Sequence, residues 1–329
     1  MTSYRLIPAT LRSSRGSMRV FLAALTTVVL WASSFVVIRS TGEHYDPGSL
    51  ALLRMLVGSA GLGLIALTLG ARWPRGRDLP LIIGWGLGWF TLYNLVLNQA
   101  ETVLDAGTAS MLVNLAPLIA LLFGGLFLRE GFPRPLLVGA PLSFLGVVLI
   151  GTSSWTSDVA LSGVFLAVLA AFLYGGSTVL QKRLLRDTNA TTLTLIGAIA
   201  GAAGLLPWSG ELVQDVAHAP ASATLGVVYL GLFPTALAFS TWGYVLSRTT
   251  AGRTAATTYA VPVFVLLMSA LFLGEFPTPV MLTGGALCLM GVFITRLPSR
   301  WLRPRRHPKH KKPPTREAPS SSPVWMSLR

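Results

Sequence analysis

The sequence predicts an all-α integral membrane protein with ten transmembrane helices, arranged as two inverted five-helix repeats. Three observations lead to this fold class. Of 329 residues, 52% are hydrophobic and only 12% are charged, whereas soluble domains are roughly a quarter charged. Long apolar runs follow one another almost without a break. A set of residues also recurs, in the same order, in both halves of the chain.

The apolar runs set the number of helices. A helix needs about 20 apolar residues to cross a bilayer. The run from Val20 to Ile38 is longer than the apolar core of a usual signal peptide, so we expect a retained helix there. The longest connection runs from Ser209 to Ala221, which leaves no room for a soluble domain. The predicted spans are 19–40, 48–70, 79–99, 106–128, 135–152, 159–181, 190–208, 222–246, 252–273 and 279–297.

The distribution of Lys and Arg predicts the orientation of the chain. Basic residues are concentrated in the two tails and in the connections after the second, fourth, sixth and eighth helices. The connections after odd-numbered helices contain Arg39 alone, which we expect to anchor its helix end at the interface. By the positive-inside rule, the tails and the even connections face the cytoplasm. We therefore expect a multi-pass protein of the cell (inner, cytoplasmic) membrane with both termini cytoplasmic.

Two stretches of sequence recur at matching positions in the two halves. Trp31–Arg39 is similar to Tyr174–Lys182, and the spacing from Pro117 to Glu130 recurs from Pro262 to Glu275. Because each half has an odd number of helices, the second half must enter the membrane with the opposite orientation. Inverted repeats of this kind are typical of secondary transporters. The chain divides into a cytoplasmic N-terminal segment, two repeats and a basic, disordered cytoplasmic tail, over residues 1–18, 19–152, 159–297 and 298–329.

Polar side chains within the apolar spans are the candidates for a substrate site, because an unpaired polar group is costly in hydrocarbon. Pro117 and Pro262 lie inside predicted helices, and helix breaks near the midplane mark the substrate sites of transporters. Asn114 and Tyr259 precede these prolines by one turn. The alternative role for each candidate is a hydrogen bond between helices, worth about 0.6 kcal/mol on average. The candidate substrate-binding residues are Trp31, Ser34, Asn94, Asn98, Asn114, Pro117, Tyr174, Ser177, Trp242, Tyr259 and Pro262.

The charged residues near the spans favour ion pairs over a proton relay at mid-membrane. Arg54 lies within the second span, where it could hold a carboxylate, extend to the interface or form an ion pair with Glu101, the role we favour. Glu130 and Glu275 fall at helix ends, where capping or packing accounts for them. No span has Asp or Glu at its middle. Coupling to an ion would need Glu101 or another group at the edge of a span, and facilitated transport stays open.

The composition argues against several other classes of protein. All four histidines lie outside the spans, and no Walker or metalloprotease motif occurs. The single cysteine, Cys288, cannot form an internal disulfide and is expected to be buried. We therefore expect no enzyme activity, no cofactor and no metal. The net charge of +14 comes largely from the tails and connections, which favours contact with anionic lipids at the basic tail over binding to nucleic acid.

Several motifs occur in order between residues 19 and 297. They are Trp31-x-Ser-Ser-Phe, Leu53-Arg54-Met55, Pro117 with Leu128-x-Glu130, and Pro262 with Phe272-Leu273-Gly274-Glu275 followed by Gly284 and Gly291. Together they resemble the EamA-like family of the drug/metabolite transporter superfamily. The resemblance implies a ten-helix bundle that exports a small polar metabolite, such as an amino acid, by alternating access between the repeats. The alternatives are a lipid or hydrophobic-drug translocator and a non-transporting receptor or assembly protein.

Overall fold

The computed structural model describes residues 9–69, 74, 76–127, 134–153, 158–246, 248, 257–295 and 297, and every regular element within them is helical. Apolar sequence explains this, because a helix satisfies all its backbone hydrogen bonds internally in a bilayer. The helices of the first half are α1 (Ala9–Thr41), α2 (Pro47–Leu69), α3 (Leu79–Gly86), α4 (Tyr93–Glu101), α5 (Ala106–Val113), α6 (Ala116–Phe127) and α7 (Arg134–Ser153).

Seven helices are likewise described in the second half. Short 3-10 turns lie at Leu206–Trp208 and Thr258–Ala260. The helices are α8 (Asp158–Leu184), α9 (Ala190–Gly204), α10 (Ser209–His218), α11 (Ala221–Leu230), α12 (Ala238–Leu246), α13 (Val261–Phe272) and α14 (Pro279–Thr295).

Within the described residues, six helical segments are long and apolar enough to cross a membrane. A seventh is reached if α9 and the helical region after it form one span with a bend of 52°. Three shorter apolar helices, Val138–Ile150, Thr258–Phe272 and Pro279–Gly291, correspond to the remaining predicted spans. The chain is therefore a multi-pass membrane protein. The helical segments follow the order of the ten predicted spans.

The prolines expected in the middle of helices lie instead in the first turn of a helix. The fourth predicted span is interrupted at Asn114 and Leu115, between α5 and α6, and Pro117 is the second residue of α6. Pro262 is likewise the second residue of α13, after the 3-10 turn Thr258–Ala260. Proline fits the first helical turn because the N–H it lacks would have no helical partner there. The irregular backbone lies just before each proline.

A wider, π-helical turn interrupts the third helix of each repeat. The first π turn, Leu87–Leu92, joins α3 to α4, and the second π turn, Gly231–Leu237, joins α11 to α12. Pro234 lies inside the second π turn and lacks the N–H that an α-helical turn would use. Thr235 Oγ1 donates to the carbonyl of Leu230 at 2.9 Å, five residues earlier. Such turns often lie at functional sites, and the apolar pattern of the sequence did not reveal them.

The connection between the seventh and eighth predicted spans contains a helix, α10, that the sequence analysis did not predict. None of its residues is fully buried, and its polar residues keep it out of the apolar pattern. It nevertheless packs through one face. Leu212 contacts the hydrophobic core, and the Asp215 carboxylate accepts hydrogen bonds from the amide of Asp46 (2.9 Å) and the hydroxyl of Ser49. These contacts hold α10 against the start of α2.

The last helices of the two repeats, α7 and α14, pack closely against each other in what we call the α7–α14 seam. Glycine permits this packing, because a Cβ on Gly146 would clash with the backbone of Gly284. Beside this contact, Ser143 Oγ donates to the carbonyl of Cys288 at 3.0 Å, and Cys288 Sγ donates to the carbonyl of Ser143 at 3.3 Å. The expectation that Cys288 is buried is confirmed.

Candidate functional site

A cavity lies between side chains of the two repeats. Its empty volume is about 520 Å³, a figure that includes space open to solvent. The first π turn, the break after α5 and the start of α13 all border it. Its lining residues are Trp31, Ser34, Phe35, Arg54, Trp89, Tyr93, Leu97, Val113, Asn114, Tyr174, Phe239, Thr258 and Val261.

Aromatic rings form much of the cavity wall. Trp31 contacts Tyr174 and Phe239 with ring centroids 6.2 Å and 5.5 Å apart, and Trp89 lies 5.4 Å from Tyr174. Several of these pairs meet edge to face, the arrangement that the ring quadrupoles favour. Trp31 Nε1 also donates to the carbonyl of Pro234 in the second π turn, at 3.2 Å. The wall therefore joins the first repeat to the second and has a defined shape.

Small polar side chains, among them Ser34 and Asn114, line the same cavity. Ser34 Oγ donates to the carbonyl of Trp31, one turn earlier in α1, at 2.7 Å. Asn114 Nδ2 donates to the carbonyl of Ser110 at 3.3 Å, at the end of α5. Asn114 Oδ1 is buried and has no hydrogen-bond partner among the described residues. An acceptor left without a partner at a cavity wall is suited to a donor on a ligand.

Arg54 brings a positive charge to the cavity. It comes from α2 and is 5% exposed, and its Nε donates to Thr235 Oγ1 at 3.0 Å. Thr235 belongs to the second π turn, so this hydrogen bond joins the repeats. Among the described residues, the two terminal nitrogens of Arg54 make no hydrogen bond. A guanidinium fixed in this way can bind a carboxylate through two parallel hydrogen bonds.

The expected ion pair between Arg54 and Glu101 is not formed. In the described structure no nitrogen of Arg54 lies within 4.0 Å of the Glu101 carboxylate, although the two charges are close enough to attract each other. Glu101 ends α4 and is 1% exposed, and neither carboxyl oxygen has a hydrogen-bond partner among the described residues. Arg54 binds Thr235 instead, because the second π turn brings that hydroxyl to α2.

Three predicted site residues lie outside the cavity lining, in polar contacts within the bundle. Asn94 Nδ2 donates to the carbonyl of Phe90, in the first π turn, at 3.0 Å. Asn98 Nδ2 donates to the carbonyl of Pro47, at the start of α2, at 3.0 Å. Ser177 is buried in α8, and its carbonyl accepts a hydrogen bond from Trp85 Nε1 at 3.0 Å. Of these three contacts, that of Asn98 is a side-chain hydrogen bond between helices, the alternative role; Asn94 binds within its own span, and Ser177 takes part through its backbone carbonyl.

The remaining predicted residues lie next to the cavity rather than in its lining. Trp242 packs behind Trp31, with ring centroids 5.0 Å apart. Pro117 and Pro262 are buried at the starts of α6 and α13. Tyr259 packs against the hydrophobic core. At the matching place in the second repeat, the lining residues are Thr258 and Val261.

Several lining residues were missed because they are apolar. Trp89, Tyr93 and Leu97 are spaced four residues apart and share one face of the third span. This stripe, which begins within the first π turn, was the feature of the sequence that could have indicated these lining residues. Phe35 and Phe239 carry no comparable pattern. Choosing candidate residues by polarity alone therefore identifies only the lining residues that can form hydrogen bonds.

An ion pair joins the repeats at the end of α1. Arg39 Nε lies 2.7 Å from Glu275 Oε1, and the two side chains are 29% and 23% exposed. Arg39 Nη1 also donates to the carbonyls of Glu101 (3.1 Å) and Thr102 (3.3 Å). Arg39, which we expected to anchor its helix end, thus also pairs with a specific partner, Glu275. Glu130, the counterpart of Glu275 in the first repeat, lies outside the described residues.

Comparison with known proteins identifies the family. The sequence model of the EamA-like transporter family matches residues 18–152 and 161–297, most of the chain. This protein belongs to the EamA-like transporter family. The resemblance seen in the motifs is thereby confirmed, and the EamA-like chain is a transporter rather than an enzyme.

Individual EamA-like relatives match along most of their length. The chain is 35% identical to a Streptantibioticus cattleyicolor protein named "Probable terminal-alkyne amino-acid exporter", over 83% of this chain and 91% of that protein. It is 29% identical to a Salmonella typhimurium protein named "Probable amino-acid metabolite efflux pump", over 82% and 92% of the two chains. One solved crystal structure has a TM-score of 0.60 at 22% identity and covers 87% of this chain and 99% of its own. That likeness shows the fold alone.

Proposed function

We propose that this EamA-like protein exports a small metabolite that bears a carboxylate, an amino acid being the favoured case, by alternating access at the cavity between its repeats. The observation that carries the proposal is Arg54. Its side chain lines a largely aromatic cavity, and its terminal nitrogens make no hydrogen bond among the described residues. Two relatives whose names mention amino acids and export or efflux support the substrate class and the direction.

The lining suggests how an amino acid would bind. Its carboxylate would accept two hydrogen bonds from Arg54, in the bidentate geometry that guanidinium groups favour. Its ammonium would donate to Asn114 Oδ1, an acceptor without a partner among the described residues. The faces of Trp31 and Tyr174 would add cation–π attraction. The apolar part of the metabolite would then pack against the remaining aromatic rings.

Alternating access would use the two repeats as units that move about the cavity. We propose ten spans, both termini in the cytoplasm and a location in the cell membrane, as the positive-inside rule predicts. That topology would place the pair of Arg39 and Glu275 at the external side. The pair would then close the external side while the cavity faces the cytoplasm, and its separation would accompany release of substrate.

The test is counterflow in proteoliposomes with the full chain and a panel of radiolabelled L-amino acids. Each amino acid is matched with the amine that lacks its carboxylate, used as an unlabelled competitor. Arg54→Gln should weaken amino-acid binding about 10- to 100-fold, since hydrogen bonds to charged groups contribute about 1.5–3 kcal/mol. Arg186→Gln is the matched control, because Arg186 is exposed in the connection after α8 and does not line the cavity.

Competition by the amines as strong as that by the amino acids would contradict the carboxylate site. A further result would point the same way, namely transport of hydrophobic organic cations by the Arg54→Gln variant at the wild-type rate. The aromatic wall would then be the recognition element. The hydrophobic-drug translocator would then be the better description of the protein.

A further inference from the structure

Glu101 is a buried acid that the proposed substrate site does not use. It lies one turn beyond Leu97 and two turns beyond Tyr93, both of which line the cavity on the same face. The side chain is 1% exposed, and both carboxyl oxygens are buried without a hydrogen-bond partner among the described residues. An ionised carboxylate in that environment is costly unless it is paired and hydrogen-bonded. A carboxyl group that carries a proton is neutral and far less costly there.

Five charged or titratable groups interact electrostatically with Glu101. Arg54 of α2 and Arg39 of α1 attract its negative charge, whereas Glu275 and Asp105 repel it. Tyr93, two turns earlier on the same face of the span, is the remaining titratable neighbour. The guanidinium groups of Arg54 and Arg39 therefore lie near three carboxyl groups. These belong to Glu101, Glu275 and Asp105.

Most of these neighbours already have partners. Arg39 is paired with Glu275 through its Nε and binds the carbonyl of Glu101 through Nη1. Arg54 donates through Nε to Thr235. Asp105 caps α5 by accepting a hydrogen bond from the amide of Thr108 at 2.8 Å. Among the described residues, cations therefore attract the Glu101 carboxyl from a distance, and none is a direct counter-ion.

We propose that Glu101 is a proton-binding site linked to the substrate cavity through Arg54, so that a proton and a substrate carboxylate bind together. When Glu101 holds a proton, the full positive charge of Arg54 is available to the substrate. When Glu101 is ionised, its negative charge competes with the substrate carboxylate for Arg54. By linkage, the bound carboxylate in turn strengthens proton binding at Glu101. This inference rests on the proposed function, in which Arg54 binds the substrate carboxylate.

Arg39 gives this proton site a controlled route to water. Its guanidinium lies over the end of α4, bound to the carbonyls of Glu101 and Thr102, while its Nε holds Glu275. Separation of the pair would free Arg39 and expose the carboxyl to the aqueous phase on that side. The proton is then exchanged with that phase, and no other reactant is needed.

The linkage has a definite sign. Acidic pH tightens binding of a carboxylate and alkaline pH weakens it. In the range where Glu101 ionises, affinity changes by at most about tenfold per pH unit, the limit for one linked proton. Acidifying the side from which the substrate binds should therefore increase the flux from that side.

The first experiment uses the wild-type full chain in lipid and does not depend on any substrate. Dicyclohexylcarbodiimide, an apolar reagent for protonated carboxyl groups, is added over a range of pH, and modified peptides are identified by mass spectrometry. Labelling of Glu101 that is high at acidic pH and declines as pH rises supports the proton site. Absence of label on Glu101 at every pH overturns it.

The second experiment measures amino-acid counterflow and its pH dependence, at pH values where the free amino acids stay zwitterionic. Glu101→Gln imitates the protonated acid and should keep tight binding across the range, whereas the wild type loses affinity as pH rises. Glu43→Gln, the same change at an exposed acid after α1, should behave like the wild type. Equal pH dependence in Glu101→Gln and wild type overturns the linkage and leaves the carboxylate site intact. Labelling of Glu101 without flux of any carboxylate overturns the proposed function instead.

Discussion

Replacing Thr235 by Val should weaken substrate binding, although Thr235 is not one of the residues that line the cavity. Its hydroxyl accepts a hydrogen bond from Arg54 Nε and donates one to the carbonyl of Leu230. Valine has nearly the same shape, so the substitution removes these bonds without creating a cavity. The bond to the guanidinium contributes about 1.5–3 kcal/mol to stability. For binding, the main loss is the cost of ordering a released Arg54 side chain, about 0.5–1.5 kcal/mol, or about 2- to 10-fold in affinity.

Two measurements on purified protein check this prediction. Counterflow competition in proteoliposomes gives the affinity, and thermal unfolding followed by size-exclusion chromatography gives the relative stability. Thr235→Ser is the matched control because it keeps the hydroxyl, and it should stay within about twofold of wild type in affinity. Equal affinities for the Val and Ser variants would refute the claim that Thr235 holds Arg54 in position for the substrate.

Two further predictions concern the ends of the helices. Arg39→Gln and Glu275→Gln should each lower thermal stability. The double variant should lose less stability than the two single variants together, by a coupling energy of about 0.2–1 kcal/mol for a partly exposed pair. Strictly additive losses would show that the pair contributes nothing to stability. Because Cys288 is buried, cysteines introduced at exposed positions can report the topology. Glu43→Cys should react with an impermeant thiol reagent on intact cells, and Arg186→Cys only after the membrane is opened. The reverse pattern would contradict the proposed orientation.

The positions of the helices were largely predictable, and their local irregularities were not. Apolar runs locate helices because the bilayer demands about 20 apolar residues per span. The helix α10 escaped this criterion, since its packing depends on one leucine and one carboxylate, Leu212 and Asp215. The first π turn, Leu87–Leu92, contains no proline. The stability of such a turn depends on tertiary contacts that a linear pattern does not encode.

The candidate site was predictable in part, for a geometric reason. Trp31, Ser34, Asn114 and Tyr174 were predicted and do line the cavity. Asn94, chosen by the same polarity argument, instead binds backbone carbonyls in the first π turn. Polarity indicates that a side chain needs a partner, but not which side of the helix faces the cavity. A π turn adds a residue to the span, and each residue rotates the helix by roughly 100°, so faces inferred from an uninterrupted α-helix are displaced after it.

The α7–α14 seam separates assembly from transport within one chain. Its contacts join the final helix of each repeat, yet the described residues that line the cavity come from neither helix. Substitutions at Gly146 or Gly284 should therefore change how much protein reaches the membrane, while the molecules that do assemble keep the substrate affinity of wild type. For protein engineering, the lipid-facing side of these two helices is a surface where fluorescent labels, cross-links or binding epitopes can be introduced without altering the path of the substrate.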